Sequence, residues 1–155
     1  MPWEQIFGFA NLWAMLCWVV LAFAPKREQI VTPLFYAGVG LLALSYAVLI
    51  VSLLGGMIGG GTGSTGGTPD FTTLAGVQAL FDSQGGATIG WIHYLAFDLL
   101  VGIWVARNAD RHGYLRIVQI PILFFVFMAG PLGLIMYLIL RLTCKGRPEN
   151  STVPS

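Results

Sequence analysis

Residues 117–142 read IVQIPILFFVFMAGPLGLIMYLILRL, and Arg141 is the single charged side chain among them. A helix needs about 20 apolar residues to cross the hydrocarbon core of a bilayer. Every backbone N–H and C=O group inside that core must be hydrogen-bonded within the protein, and a helix achieves this by itself. The stretch therefore predicts a membrane-spanning helix that contains Pro121 and Pro131.

Three further apolar stretches, near residues 6–24, 34–54 and 88–106, predict three more spans. The whole chain is 56% hydrophobic and only 10% charged, whereas soluble domains carry roughly 25% charged residues. Buried helices of a soluble protein would also need polar outer faces, which are missing here. The predicted fold class is all-α, an integral membrane four-helix bundle within residues 1–142, followed by a disordered polar tail at 143–155.

The connection between the second and third spans has two parts. Residues 55–69 are rich in Gly, Ser and Thr and predict a flexible loop. In residues 70–82, Asp70 is suited to cap a helix N-terminus. Four residues there follow a helical spacing, namely Phe71, Leu74, Gln78 and Phe81. This part is too short to span and predicts an interfacial helix before the third span; the alternative is a capped surface loop.

The basic residues predict an orientation in the membrane, because Lys and Arg favour cytoplasmic loops. Five of them lie in the first and third loops: Lys26, Arg27, Arg107, Arg111 and Arg116. The opposite face has only those near the C-terminus: Arg141, Lys145 and Arg147. Both termini are therefore expected on the non-cytoplasmic side. No transit peptide precedes the first span, so the expected location is a bacterial inner membrane.

Composition also excludes several functions. The net charge of +1 offers no basic field for nucleic acid. The two cysteines, Cys17 and Cys144, cannot form a disulfide framework, and no Cys/His cluster predicts a metal site. No cofactor is predicted, and the lipid bilayer is the first expected partner.

Two ionisable side chains in the third span, His93 and Asp98, are the strongest candidates for chemistry. Ionisable groups inside a membrane are energetically costly, so they are kept where they have a structural or functional role. At about 100° per residue, Asp98 shares a face with Tyr94, and His93 points about 140° away from Asp98. A functional interpretation makes Asp98 a proton donor or acceptor, with His93 reaching it across a shared cavity. A structural interpretation makes both of them hydrogen-bond partners between helices.

The fourth span contains Gly130-Pro131-Leu132-Gly133. Proline removes a helical hydrogen bond and glycine lets backbones approach closely, so this sequence predicts either a kink that opens a small cavity or only a packing notch. Asn11, Ser45 and Tyr46 are further polar residues that could face inward.

Three blocks resemble the abscisic-acid-deficient-four-like family. The first is APK at 24–26. The second comprises LAGV at 74–77 with Leu80, Phe81 and Ser83, followed by WIHYLAFDL at 91–99. The third is GPLG at 130–133 with Tyr137 and Arg141. The chain differs from the family pattern in its Gly-rich loop and in having Gly102-Ile103-Trp104 where a basic residue is common.

The resemblance implies a membrane protein with four spans. The family includes the plant chloroplast protein needed to form neoxanthin from violaxanthin, a reaction that opens an epoxide to an allene. Such a reaction needs an acid for the epoxide oxygen and a base for a proton near the ring. The resemblance therefore implies that His93 and Asp98 would fill these roles in an isomerase-type, carotenoid-modifying enzyme.

The leading hypothesis is a membrane protein that binds or acts on a carotenoid or another apolar isoprenoid. Its predicted catalytic residues are Asp98 and His93. Its predicted substrate-binding residues are Trp91, Tyr94, Phe97, Gly130, Pro131 and Tyr137. The alternatives are a non-catalytic scaffold that assembles with another membrane protein or a second copy, and a small proton-coupled carrier.

Overall fold

The computed structural model describes residues 2–24, 27–60 and 71–144, and most of these are helical. The elements in chain order are α1 (Trp3–Phe23), α2 (Arg27–Pro33), a π-helical segment (Leu34–Gly40), α3 (Leu41–Leu54), α4 (Leu74–Phe81), α5 (Gln84–Arg111) and α6 (Arg116–Thr143). No strand occurs in these described ranges.

Four helical stretches are long and apolar enough to cross a membrane: Trp3–Phe23, Gln29–Leu54, Gln84–Arg111 and Arg116–Thr143. Each of them overlaps one predicted span, so the predicted all-α membrane fold is confirmed. The orientation and the bacterial inner membrane stay predictions. Of the loop and tail predicted at 55–69 and 143–155, residues 61–69 and 145–155 lie outside the described part of the chain.

Large apolar side chains remain exposed along the helices. Phe9, Ile117 and Leu142 are 73%, 77% and 88% exposed. Soluble proteins rarely expose continuous apolar surface, but acyl chains are as apolar as these side chains. The exposed surface therefore suits a protein surrounded by lipid.

The chain forms two compact units. The first unit comprises Met1–Ala14 and Gly40–Ala96, and the second unit comprises Met15–Val39 and Phe97–Ser155. The first unit buries Trp3, Leu42, Ile89 and Ile92, and the second buries Leu99, Val105, Val126 and Tyr137.

The turn between α5 and α6 is held by a buried amide. The Gln119 side chain is only 1% exposed. Its Nε2 donates to Asp110 Oδ1 at 2.9 Å and to the Tyr114 carbonyl oxygen at 2.7 Å. Arg116 donates to the carbonyl oxygen of Ala24. Because buried polar groups need partners, these bonds allow a polar turn to pack against apolar helices.

Helix α6 is kinked at Ala129, whose φ of −158° and ψ of 71° are not helical. Pro131 follows two residues later and has no N–H to complete the helical hydrogen-bond pattern. The proline-glycine sequence thus interrupts the fourth span while both halves remain helical.

Helix α4 corrects one prediction about the short segment before the third span. Asp70 is not the residue that caps this helix: α4 begins at Leu74, and its N-cap is Thr73, whose Oγ1 accepts a hydrogen bond from Gly76 N at 3.1 Å. Asp70 itself lies outside the described residues. The N-cap must immediately precede the first helical turn, which places Asp70 too early in the chain. That α4 lies at the membrane interface remains a prediction.

Candidate functional site

A serine joins α4 to α5 in the first unit. Ser83 is buried and immediately precedes α5. Its Oγ accepts from Gly86 N at 3.0 Å and donates to the Leu80 carbonyl oxygen at 3.3 Å. One hydroxyl therefore caps the N-terminus of α5 and bonds the last turn of α4, which fixes the angle at which the chain turns.

Two glycines let α4 lie directly against the start of α5. A Cβ built on Gly86 would overlap the Leu80 carbonyl oxygen and lie 2.7 Å from its carbonyl carbon. A Cβ built on Gly90 would overlap Cε1 of Phe81 and lie 2.8 Å from its Cζ. These glycines stand four residues apart on one face of α5, the small-xxx-small spacing of close helix contacts in membranes.

This close packing leaves a cavity of about 290 Å³, which we call the aromatic cavity. It has four aromatic side chains besides a histidine, namely Tyr46, Phe71, Phe81 and Tyr94, with His93 between the tyrosines. Its remaining walls come from Ile50, Leu80, Ile89 and the two glycines. The lining is therefore apolar apart from an imidazole and two phenol groups.

The rings around His93 are in mutual contact. The centroid of the Tyr46 ring lies 5.2 Å from that of His93, and the Tyr94 ring stands perpendicular to His93 at 6.2 Å. Centroid distances of this size are those of packed aromatic pairs. The imidazole is thereby held in place by two rings, and imidazole nitrogens both donate and accept hydrogen bonds.

Asp98 has different surroundings, in the second unit. A Cβ built on Gly130 would overlap Asp98 Oδ1 and lie 2.9 Å from its Cγ. The half-buried carboxylate therefore fills the notch that glycine leaves at the kink of α6. No hydrogen bond or ion pair joins Asp98 to another residue in the described part of the chain. The structure thus places His93 and Asp98 in separate units, His93 beside a cavity and Asp98 against a helix.

Comparison with known families decides which proteins this chain is related to. Residues 5–137 match the family model described as ABA DEFICIENT 4-like. The chain belongs to this family. No curated protein and no solved structure matches it.

In this ABA DEFICIENT 4-like protein, the longest block of the resemblance forms two walls of the aromatic cavity. Leu80 and Phe81 end α4, and His93 and Tyr94 lie two turns into α5. Ser83, also in that block, makes the junction between the two helices.

Two other aromatic residues predicted to bind substrate, Trp91 and Phe97, lie on exposed surface in this family member. Trp91 and Phe97 are 44% and 54% exposed. The Trp91 indole donates from Nε1 to Asn11 Oδ1 at 3.0 Å, and its ring lies 5.9 Å from that of Phe7. Trp91 thus connects α5 to α1 within the first unit, and Asn11 serves as its acceptor.

Tyr137 is completely buried in the second unit. Its hydroxyl donates to Asn108 Oδ1 at 2.6 Å, and its ring meets Trp104 edge-on at 5.7 Å. Pro131 is exposed on α6. Tyr137 was predicted to bind substrate, and these contacts give it a packing role that can be tested separately.

Tyr137→Phe should lower the free energy of unfolding by about 1 kcal/mol, because it removes one buried hydrogen bond and leaves the Asn108 oxygen without its donor. Chemical unfolding in detergent micelles would measure this change. Tyr36→Phe, at an exposed tyrosine, should leave stability unchanged. A Tyr137→Phe protein as stable as the wild type would argue against the packing role.

Sequence reasoning missed Gly86, Gly90 and Ile50 as parts of a site. The spacing of the two glycines is typical of a close helix contact, but nothing in the sequence indicated which helix would pack against them. Among residues 2–24, 27–60 and 71–144, no three His, Cys, Asp or Glu side chains gather as they would around a metal ion.

Proposed function

We propose that this membrane protein binds one end ring of a carotenoid or a similar isoprenoid in the aromatic cavity. The observation that carries the proposal is the position of His93, a histidine held between two tyrosine rings in an otherwise apolar cavity. Family membership supports the same ligand class, since a family member in plants is needed to form neoxanthin.

The size of the cavity favours a ring rather than a whole carotenoid. Small-molecule pockets usually measure about 300 to 1,000 Å³, and the aromatic cavity, at about 290 Å³, lies at the lower end. A bulky, methylated ring would fill it, and the long polyene would extend into the acyl chains of the bilayer. The apolar walls stabilise such a ring by removing its surface from contact with water or headgroups.

His93 supplies the polar recognition. An end ring that carries a hydroxyl or epoxide oxygen would place that oxygen near the imidazole, which can donate a hydrogen bond to it. A hydrogen bond from the imidazole to a ring oxygen adds to the apolar contacts, so a ring with an oxygen is preferred over a pure hydrocarbon ring. The same imidazole is the group that we expect to exchange a proton with the ring if the protein is an enzyme.

His93→Phe is expected to remove the preference for oxygenated rings. The wild-type protein in lipid nanodiscs should bind an epoxide-bearing carotenoid about tenfold more tightly than a hydrocarbon carotenoid of the same length, which corresponds to one hydrogen bond. The variant should bind both with similar affinity, because phenylalanine retains the ring contacts but has no donor. Absorption of the bound pigment would measure both affinities.

The second histidine of the chain provides the control. His112 lies in the second unit, where its Nδ1 is 2.7 Å from the Asn108 carbonyl oxygen. His112→Phe should keep the tenfold preference. The proposal would be wrong if neither carotenoid bound to the wild type, or if His93→Phe bound both ligands as the wild type does.

A non-catalytic scaffold is the second candidate function, and the position of Asp98 favours it. The carboxylate packs against the backbone of α6 at Gly130, as expected of a residue that sets the distance between helices. Under this hypothesis Asp98→Asn changes the amount of folded protein or the recovery of a membrane partner, while carotenoid binding per folded molecule is unchanged.

A further inference from the structure

A second cavity, of about 200 Å³, lies in the second unit near the end of α5. We call it the arginine cavity, because Arg107 and Arg111 line it together with Asn108. Its apolar walls include Phe35, Leu100 and Trp104. A cavity lined by both apolar side chains and arginines fits a ligand that has both an anionic and an apolar part.

The two arginines carry charges of the same sign on neighbouring turns of α5. They stand four residues apart on α5, a spacing at which like charges destabilise a helix. In the described part of the chain, neither makes an ion pair or a side-chain hydrogen bond. Asp110, the acid nearest to them in sequence, accepts from Gln119 instead. The charge of this cavity is therefore left for a ligand.

Asn108 also lines this cavity. Its Oδ1 accepts the Tyr137 hydroxyl at 2.6 Å, so the other half of the amide is the NH₂ group, which is a donor. Trp104, packed edge-on against Tyr137, has an indole N–H and no acceptor. The polar side chains around the cavity thus offer donors, and a ligand with several acceptor oxygens matches them.

We infer that the arginine cavity binds a phosphate group, carried by an anionic lipid or present as free phosphate. Arginine guanidinium groups bind phosphate through paired, charge-assisted hydrogen bonds. Basic pockets near the ends of membrane-spanning helices are suited to lipid headgroups. For a lipid, Phe35 and Leu100 would contact the first carbons of the acyl chains. This inference concerns the second unit and does not depend on carotenoid binding.

Native mass spectrometry of the delipidated, full-length protein would test the inference. The probes are phosphatidylglycerol and a diacylglycerol with the same acyl chains, which differ in the phosphoglycerol headgroup. The wild type should retain phosphatidylglycerol at least about tenfold better than diacylglycerol. Arg107→Gln and Arg111→Gln should each lower this retention about tenfold, the effect of losing one charge-assisted hydrogen bond.

Arg141→Gln is the matched control, because Arg141 is an exposed arginine in the last turn of α6 and does not line the cavity. It removes the same charge and should leave retention unchanged. Arg107→Lys keeps the charge and should retain more lipid than Arg107→Gln, which separates loss of the site from loss of folding.

Competition with inorganic phosphate distinguishes the two possible ligands, free phosphate and a phospholipid. If millimolar phosphate displaces the bound lipid, the cavity recognises the free anion; if it does not, the lipid chains contribute and the ligand is a phospholipid. Equal retention of the two lipids by the wild type would overturn the inference. So would equal losses in Arg107→Gln, Arg111→Gln and Arg141→Gln.

Discussion

Gly86→Ala should destabilise the protein by about 3 kcal/mol, near the upper end for an added methyl group in a packed interior. The added Cβ would overlap the carbonyl oxygen of Leu80, a backbone atom in the last turn of α4. Because a backbone carbonyl cannot rotate away as a side chain can, α4 must shift from α5. Unfolding by SDS titration in mixed micelles, followed by far-UV circular dichroism, would measure the loss.

The same substitution is expected to abolish ligand binding in the aromatic cavity, since Leu80 and Phe81 line it. Gly8→Ala serves as the control, because a Cβ at Gly8 meets nothing within 4 Å. Alanine is a better helix former than glycine, so Gly8→Ala should be neutral or stabilise by about 1 kcal/mol. If Gly86→Ala lowers stability and Gly8→Ala does not, the loss comes from packing and not from helix propensity. A Gly86→Ala protein as stable as the wild type would contradict the close approach of α4 and α5.

Gly130→Ala should give a loss of similar size in the second unit, about 2 to 3 kcal/mol. There the added Cβ would overlap Asp98 Oδ1. The obstacle is a side chain next to a kinked helix, so the effect depends on whether the carboxylate can move. The same SDS titration would compare this variant with Gly8→Ala.

A second substitution tests the cause of that loss. Asp98→Ala removes the carboxylate, so Gly130→Ala should be tolerated in the Asp98→Ala background. A double-mutant cycle should show an interaction energy of about 2 kcal/mol between the two positions. Additive effects would mean that Gly130 is needed for the kink itself and not for the contact with Asp98.

These experiments also bear on the two candidate functions. If Asp98 serves only to pack α5 against α6, the Asp98→Ala/Gly130→Ala protein should be folded and should bind carotenoid in the aromatic cavity. If this double variant binds the pigment but no longer converts it, Asp98 has a chemical role in addition to packing. His93→Phe, by contrast, is expected to alter ligand preference and not folding.

Several details of the fold were beyond sequence reasoning for identifiable physical reasons. The spacing from Phe71 to Phe81 predicted a short helix. Two residues suited to cap it, Asp70 and Thr73, lie three positions apart, and Thr73 is the one that immediately precedes the first turn. The π-helical turns at Leu34–Gly40 had no recognisable signal. Gly38, inside that segment, faces Cys17 and Leu99, each 3.1 Å from a built Cβ, so packing rather than local preference accounts for the close approach there.

The candidate site was predicted in part. His93 and Asp98 were identified because ionisable groups are rare in spans, and helical geometry predicted that they would not bond directly to each other within α5. Their surroundings were not predictable, because they depend on which helix faces each of them. Tyr46 and Ile50 come from α3 and precede His93 by 47 and 43 residues.

The sequence by itself determined that this chain is a membrane protein of four apolar helices, and it indicated the family. Both follow from composition and local order, since a bilayer admits only segments that satisfy their own backbone hydrogen bonds. Tertiary structure alone decided that α4 packs directly against Gly86 and Gly90, that Asp98 fills the notch at Gly130, and that two arginines line one cavity. Those features arise from contacts between different helical segments, where the shape of one helix fixes how closely another can approach.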